Sequence, residues 1–169
     1  MKKFTLSVII SIASLSGINA QVYKWWAGGR TTFWTGDAGD TFLFAPEVGY
    51  QLTPKLTIAT SLGIQANNFK NGRDIYGLTI NPYMRYILFK QGLLLGFVDG
   101  GVDFGLGDII GFQVGFKPGV ALLLTDRFTV ATQFGFFGFN DGKDIGVRRH
   151  GFGYDLSGYC STIAFFFSF

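Results

Sequence analysis

The chain contains one histidine, His150, and a histidine side chain can serve as the general base of an acyl transfer. That chemistry also needs a hydroxyl nucleophile within reach of the base and a carboxylate that orients the base. Asp144 and Asp155 could approach His150, but no serine lies within six residues on either side of it. We therefore expect His150 to be a solvated loop residue and the protein not to be an enzyme.

Metal and cofactor chemistry has equally little support in the sequence. Asp37, Asp40 and Asp74 lack the dense spacing of oxygen ligands found in a calcium loop. Cys160 is the single cysteine, so no intrachain disulfide is possible, and we expect it to be a small structural residue. The sequence predicts no metal and no cofactor.

Residues 1–20 have the composition of a cleaved secretory signal peptide. Lys2 and Lys3 precede an apolar stretch, and small residues lead up to Ala20. Residues 21–169 then form a single predicted domain. Without the two lysines, the basic residues fall from 14 to 12 against 11 acidic ones, so the charge near +1 favours no nucleic-acid partner.

The composition of the chain is unusual for a soluble protein. Hydrophobic residues make up 48% of it, aromatic residues 18% and charged residues only 15%. After residue 20, no segment approaches the ~18–20 apolar residues that a membrane-spanning helix needs. Two classes remain, namely a soluble β protein with a large core and a membrane β-barrel.

Short polar turns recur about every 36 residues along the chain, at Thr53-Pro54-Lys55, Lys90-Gln91-Gly92 and Thr125-Asp126-Arg127. Longer polar or glycine-rich stretches alternate with these turns, at Thr35–Asp40, Phe69–Asp74, Gly105–Ile110 and Asn140–His150. Together they delimit eight segments of roughly 10–14 residues, which is long enough for a tilted strand to cross a bilayer.

Within these segments, bulky apolar residues alternate with small or polar ones. Phe44 and Val48 share a face opposite Glu47, and Phe116 and Val120 share a face opposite Lys117. Phe128, Val130, Phe134 and Phe136 are assigned to one face in the same way. The lumen of an eight-stranded barrel holds only side chains, so the aromatic face is too bulky to point inward. We therefore predict an all-β, eight-stranded, antiparallel up-and-down transmembrane barrel with its apolar face toward lipid.

The last strand does not keep a single alternation. Phe152, Tyr154 and Leu156 occupy even positions, whereas Tyr159, Ile163, Phe165, Phe167 and Phe169 occupy odd ones. One extra residue in a strand reverses the direction of every later side chain. We predict a β-bulge near Ser157-Gly158.

Six charged residues are expected to point into the lumen and to form a polar network, namely Arg30, Glu47, Arg85, Asp99, Asp103 and Lys117. Folding the predicted hairpins about their loops places Arg30 opposite Glu47, Asp99 opposite Lys117 and Asp103 opposite Gln113. Arg85 would join the network from the tight-turn side. Charges inside a narrow barrel must be paired, so we interpret the set as a structural plug, with a proton or ion path as the alternative.

The chain ends in Phe165, Phe167 and Phe169, which resembles the C-terminal signature of bacterial outer-membrane barrels. The layout of residues 21–169 resembles the small eight-stranded barrels of the OmpA/OmpX type from Gram-negative bacteria. This resemblance implies a location in the outer membrane, periplasmic tight turns and extracellular loops. It also implies that the barrel-assembly machinery recognises the terminal phenylalanines.

The resemblance indicates a class of protein and no specific activity. We expect a non-enzymatic role in structure or surface interaction, in contact with outer-membrane lipid, with lipopolysaccharide or with other surface or outer-membrane proteins. The basic residues Lys143, Arg148, Arg149 and His150 could neutralise lipopolysaccharide, or could form an ordinary solvated loop. The alternatives are a barrel enzyme acting on lipid or peptide at the outer leaflet, and a narrow, porin-like pore.

Overall fold

A computed structural model describes residues 24–36, 39–69, 74–142, 150–156 and 162–169. The predicted signal peptide at residues 1–20 lies outside this part of the chain. The protein is all-β and forms a closed, antiparallel, eight-stranded barrel, as the sequence predicts. Its strands are β1 (Trp25–Gly36), β2 (Gly39–Thr53), β3 (Leu56–Phe69), β4 (Ile75–Gln91), β5 (Leu94–Gly107), β6 (Gly111–Leu123), β7 (Phe128–Gln133), β8 (Phe136–Gly142), β9 (Gly151–Asp155) and β10 (Thr162–Ser168). In the described part of the chain, no helix is long and apolar enough to span a membrane.

Ten elements make eight walls because two walls are interrupted. The segments β7 and β8 both pair with β6 and together form the seventh wall. The segments β9 and β10 pair with β8 and β7 respectively, and together form the eighth wall. The barrel closes where β1 pairs with β10, with Trp26 opposite Ser168 and Gly29 opposite Phe165.

The three predicted tight turns are confirmed in position, and all three lie at one end of the barrel, called here the tight-turn end. The hydroxyl oxygen of Thr53 accepts hydrogen bonds from the amides of Lys55 (3.3 Å) and Leu56 (3.0 Å). Thr125 accepts equivalent bonds from the amides two and three residues after it. Gly92 has a φ of 56° and supplies the left-handed residue of the β4–β5 turn.

Some of the connections at the opposite end, called here the loop end, are shorter than the sequence predicts, because their strands extend into the predicted loops. Strand β1 continues to Gly36 and β2 begins at Gly39, so most of the predicted Thr35–Asp40 loop is strand. Strand β5 likewise continues to Gly107. In the connection that follows, Asp108 exchanges two hydrogen bonds with the backbone of Tyr76, through its own amide (2.9 Å) and its carboxylate (3.2 Å).

This pinned connection turns one apolar side chain inward and leaves the next outside. Ile109 is buried against Gly77 of β4, where an added Cβ would lie 2.1 Å from the isoleucine Cγ1. Ile110 is 76% exposed. Ile109 therefore fastens the β5–β6 connection across the rim of the barrel.

The side chains have the inside-out arrangement that the alternation predicts. Phe44, Phe116, Phe134 and Phe167 are each about half exposed on the outer surface, with Phe116 at 54%. Glu47, by contrast, is 8% exposed and Asp99 is 3% exposed. Large apolar side chains thus cover the outer surface of the barrel, and ionic side chains lie in its lumen.

One assignment of the alternation is wrong. The alternation predicts that Phe136 faces outward with Phe134, but its ring is buried in the lumen. The reason is Gly135, whose φ of 83° interrupts the ladder between β7 and β8 and reverses the side chains that follow. The predicted change of parity in the last wall is present, because Tyr154 and Phe165 are both exposed, but the expected bulge at Ser157-Gly158 lies outside the described residues.

A small apolar cluster fills the lumen near the tight-turn end. It consists of Phe97, Ala121, Ala131, Ala164 and Phe166, with Trp26 and Leu95 packed against it. Its rings lie over glycines of neighbouring strands: a Cβ on Gly119 would lie 2.4 Å from the Phe97 ring, and one on Gly49 would lie 2.2 Å from the Trp26 ring. These glycines make room for aromatic rings inside a narrow barrel.

Candidate functional site

Two rows of lumen-facing polar residues run around the wall above the apolar cluster. Directly opposed residues of antiparallel strands face the same side, so the register defines each row. The lower row lies nearer the tight-turn end and contains Thr57, Arg85, Asp99 and Lys117. The upper row lies nearer the loop end and contains Glu47, Ser61, Asn81, Asp103, Gln113 and Asn140.

A row of mostly small residues separates the two polar rows: Gly49, Ala59, Tyr83, Gly101, Gly115, Gly138 and Gly153. Four of these glycines have no room for a side chain. For example, a Cβ on Gly115 would lie 2.3 Å from the carbonyl oxygen of Phe137. Because Gly101 and Gly115 carry no side chains, none stands between the two polar rows at this point. Lys117 of the lower row forms an ion pair with Asp103 of the upper row across Gly101 and Gly115.

Arg85 and Asp99 form the most buried ion pair of the lumen. Nε of Arg85 donates to Oδ1 of Asp99 at 2.7 Å and Nη2 donates to Oδ2 at 2.8 Å, so the bond is bidentate. The two side chains are 12% and 4% exposed. Nε2 of Gln133 donates to Oδ2 of Asp99 at 2.5 Å, and the hydroxyl of Thr162 donates to Oε1 of Gln133 at 3.2 Å. This chain of bonds ties four walls of the barrel together.

Aromatic rings surround the guanidinium of Arg85 at the boundary with the apolar cluster. Its Cζ lies 4.0 Å from the ring centroid of Phe97, and between 5.3 and 5.8 Å from those of Phe166, Tyr83 and Trp26. A cation over an aromatic face is attracted by the ring quadrupole, and the attraction strengthens when water is excluded. Arg85 and the rings together occlude the lumen at this height.

Two further hydrogen bonds involve Glu47 and Asn81 of the upper row. The Tyr83 hydroxyl donates a hydrogen bond to Glu47 in the upper row. The side-chain amide of Asn81 donates to the carbonyl of Val102 at 3.1 Å. The cavity between the ion pairs has a volume of only about 10 Å³ and is lined by Asp99, Asp103 and Lys117 among others. The lumen is therefore filled by side chains at this level and holds no wide channel.

Three buried polar atoms in or above the upper row lack a hydrogen-bond partner among the described residues. These atoms are Ser61 Oγ, Asn67 Oδ1 and Gln113 Nε2. Buried polar groups of native proteins are usually satisfied by protein or by water. We infer that interior water hydrates this region.

Two of the three predicted cross-strand neighbours are confirmed, since Asp99 lies opposite Lys117 and Asp103 lies opposite Gln113. The third is wrong by two residues. Arg30, half-buried at a lumen-facing position, lies opposite Ala45, and Gly28 lies opposite Glu47, because the β1–β2 connection is at 37–38 rather than 38–39. The Arg85–Asp99 ion pair joins directly opposed residues of β4 and β5, whereas Lys117 bonds Asp103 rather than Asp99, which lies opposite it.

At the loop end, His150 lies 2.9 Å from a carboxylate, measured from its Nδ1 to Oδ1 of Asp141. Of the two carboxylates that the sequence places within reach of His150, Asp144 lies outside the described residues and Asp155 lies at the far end of β9. The imidazole also packs edge-on against the ring of Phe139 at 5.8 Å. Lys143, Arg148 and Arg149, predicted to form a basic cluster with His150, lie outside the described residues, as does Cys160. Phe165, Phe167 and Phe169 are exposed on the outer surface.

Sequence reasoning missed Gln133, Thr162 and Tyr83 as members of the polar network. The alternation that assigns Val130 and Phe134 to the outer face puts Gln133 on the lumen face, but register alone does not show its contact with Asp99 two walls away. Tyr83 shows no charge in the sequence, so only its odd position in β4, shared with Arg85, could have indicated an inward phenol.

No group of three His, Cys, Asp or Glu side chains is placed to hold a metal ion within the described ranges. No protein-family model matches the chain, and no curated protein matches its sequence. Any functional conclusion therefore depends on the barrel and on the placement of its side chains.

Proposed function

We propose that the protein is an integral barrel of the outer membrane of a Gram-negative bacterium, with a non-enzymatic role in structure or surface interaction. The observation that carries the proposal is the outward apolar surface, to which every wall of the barrel contributes. In water this surface would be a large exposed apolar patch, whereas in hydrocarbon it is the favourable arrangement. Closure of the barrel between β1 and β10 also pairs strand edges that lipid could not satisfy.

The strand lengths fit this environment. A tilted strand needs about 9–11 residues to cross the hydrocarbon, and β2 to β6 contain 13 to 17 residues each. Aromatic residues are exposed near both rims, with Trp25 and Phe169 at the tight-turn end and Tyr76 and Tyr154 at the loop end. Such girdles are typical of membrane interfaces. The tight-turn end is proposed to face the periplasm.

The filled lumen favours a role that is exerted from the surface. The loop end would then contact lipopolysaccharide or another surface or outer-membrane protein, and Lys143, Arg148, Arg149 and His150 would supply its positive charge. During biogenesis the barrel-assembly machinery would recognise the last strand, with Phe165, Phe167 and Phe169.

Fractionation of the cell envelope tests the proposal directly. The protein should appear in the outer-membrane fraction, give a β-type circular dichroism spectrum in detergent, and migrate differently in gels before and after boiling. A soluble periplasmic protein without a heat-dependent shift in migration would refute it.

One observation favours an alternative. The His150–Asp141 pair has the geometry of a base and its orienting carboxylate, as a barrel enzyme acting on lipid or peptide would need. If purified protein shows hydrolase or acyltransferase activity that His150→Ala abolishes, this alternative replaces the non-enzymatic role.

A further inference from the structure

We propose that the tight-turn end binds the anionic headgroups of phospholipids in the leaflet that it contacts. The binding groups would be four basic side chains, named here the basic collar: Lys24, Lys55, Lys90 and Arg127. This inference rests on the proposed membrane location, but not on which leaflet the tight-turn end contacts.

The basic collar is spread around the whole tight-turn end. Lys55 lies in the β2–β3 turn, Lys90 lies at the end of β4 beside the next turn, and Arg127 lies in the β6–β7 turn. Lys24 precedes β1, where its carbonyl accepts a hydrogen bond from the amide of Gln51 at 2.7 Å. All four side chains are exposed. Four separated cations fit the dispersed phosphates of a lipid surface better than one compact anion.

Each member of the basic collar is close in sequence to an exposed apolar side chain: Trp25 beside Lys24, Leu52 near Lys55, Phe89 beside Lys90 and Leu124 near Arg127. The cations therefore begin where the apolar surface ends. Lysine and arginine can bury their methylene stems along apolar surface while the charged group reaches the headgroup level.

The two ends of the barrel differ in charge. Asp126 is the single acidic side chain in the three tight turns. By sequence, the loop-end connections carry five basic residues, Lys70, Arg73, Lys143, Arg148 and Arg149, against six acidic ones, Asp37, Asp40, Asp74, Asp108, Asp141 and Asp144, so basic residues are in excess only at the tight-turn end. An anionic headgroup is thus attracted to the tight-turn end, and contact with one Lys or Arg strengthens the binding of that lipid by up to roughly fivefold.

The test compares lipid selectivity in vesicles of phosphatidylcholine that contain a trace of spin-labelled phosphatidylglycerol or spin-labelled phosphatidylcholine. Electron paramagnetic resonance measures the fraction of each label held at the protein surface. The wild-type barrel should hold phosphatidylglycerol about three- to fivefold more strongly, and the preference should decrease as salt screens the charges. Lys55→Gln/Lys90→Gln should remove about half or more of it.

The matched control removes two exposed charges from the loop end, by Asp40→Asn/Asp74→Asn, and should not weaken the preference. Heat-dependent migration measured in the same vesicles shows separately whether each variant has inserted as a barrel. If the barrel inserts but shows no preference for phosphatidylglycerol, the inference about the basic collar is overturned and the proposed function is unaffected. Failure to insert in any vesicle would count against the proposed function itself. A third outcome is that the barrel in detergent binds soluble dextran sulfate through the basic collar but shows no lipid selectivity. This result would indicate a soluble acidic partner and would also overturn the inference.

Discussion

Replacing Asp99 with asparagine removes the counter-charge of Arg85 at the most buried point of the polar network. Asp99 is 3% exposed and accepts two bonds from Arg85, at 2.7 and 2.8 Å, and one from Gln133, at 2.5 Å. Asparagine keeps a single acceptor oxygen, so at least one of these donors loses its partner.

The expected cost follows from the burial of the pair. Breaking a buried ion pair on one side destabilises a protein by about 3–5 kcal/mol, since a charge is left without compensation. The rings around Arg85 retain part of its stabilisation, with a cation–π contact contributing roughly 0.5–2 kcal/mol. We therefore expect Asp99→Asn to lower the free energy of unfolding by about 3 kcal/mol.

A second variant separates lost charge from lost shape. In Arg85→Leu/Asp99→Asn the buried cation is gone, the new leucine can pack against Phe97, and the new asparagine can still accept the bond from Gln133. This double variant should regain about 2 kcal/mol relative to Asp99→Asn alone, since uncharged replacements of buried pairs are often tolerated.

Urea titration of the folded barrel in detergent measures these differences, with tryptophan fluorescence and heat-dependent gel migration as the two readouts. Asp103→Asn is the matched control, because the Asp103 and Lys117 side chains are 13% and 22% exposed and water can replace part of their bond. Asp103→Asn should lower the free energy of unfolding by about 1.5 kcal/mol. The reasoning is refuted if Asp99→Asn costs less than its control, or if adding Arg85→Leu destabilises Asp99→Asn further.

Three further outcomes are expected from the same geometry. Gly138→Ala places a Cβ 2.2 Å from a backbone oxygen and should lower the free energy of unfolding by roughly 1–3 kcal/mol or prevent folding. Gly153→Ala, in the same row with nothing within 4 Å, should leave stability unchanged. The folded fraction of each variant, measured in gels, checks both expectations. Phe116→Lys puts a charge on the lipid-facing surface and should lower the free energy of unfolding by about 2–4 kcal/mol if residue 116 lies near the bilayer midplane. Ile110→Lys should change the stability measured in urea by less than about 0.5 kcal/mol. Wild-type protein in planar bilayers should show no stable conductance steps, and regular openings would contradict the filled lumen.

The barrel could be predicted from sequence because the alternation of side chains and the turn residues agree along most of the chain. The register of β5 and β6 was also predictable, since a short connection fixes which residues oppose each other, and Asp99 was correctly placed opposite Lys117. The same reasoning misplaced Arg30, because an error of one residue in the centre of a turn moves every partner by two.

The Lys117–Asp103 ion pair could not be predicted, since it depends on the direction of the Lys117 side chain across the row of glycines that separates the two polar rows. Register alone cannot show that Lys117 reaches past Gly101 to Asp103. The inward position of Phe136 depends on the backbone conformation of Gly135, and the adjacent Phe134-Gly135-Phe136 sequence fits either direction. The interruption of the seventh wall at Gly135 is therefore what made the direction of Phe136 unpredictable from the sequence.

The pinned β5–β6 connection has a consequence for recognition by antibodies. Because Ile109 is anchored in the rim and Asp108 is bonded to the β4 backbone, Ile110 is held in a fixed orientation on the outside. The connection presents a preformed conformational epitope, which loses little entropy on binding. Antibodies that are selected on the folded barrel against the β5–β6 connection should no longer bind when the protein is boiled. A linear peptide of the same residues should compete poorly for these antibodies.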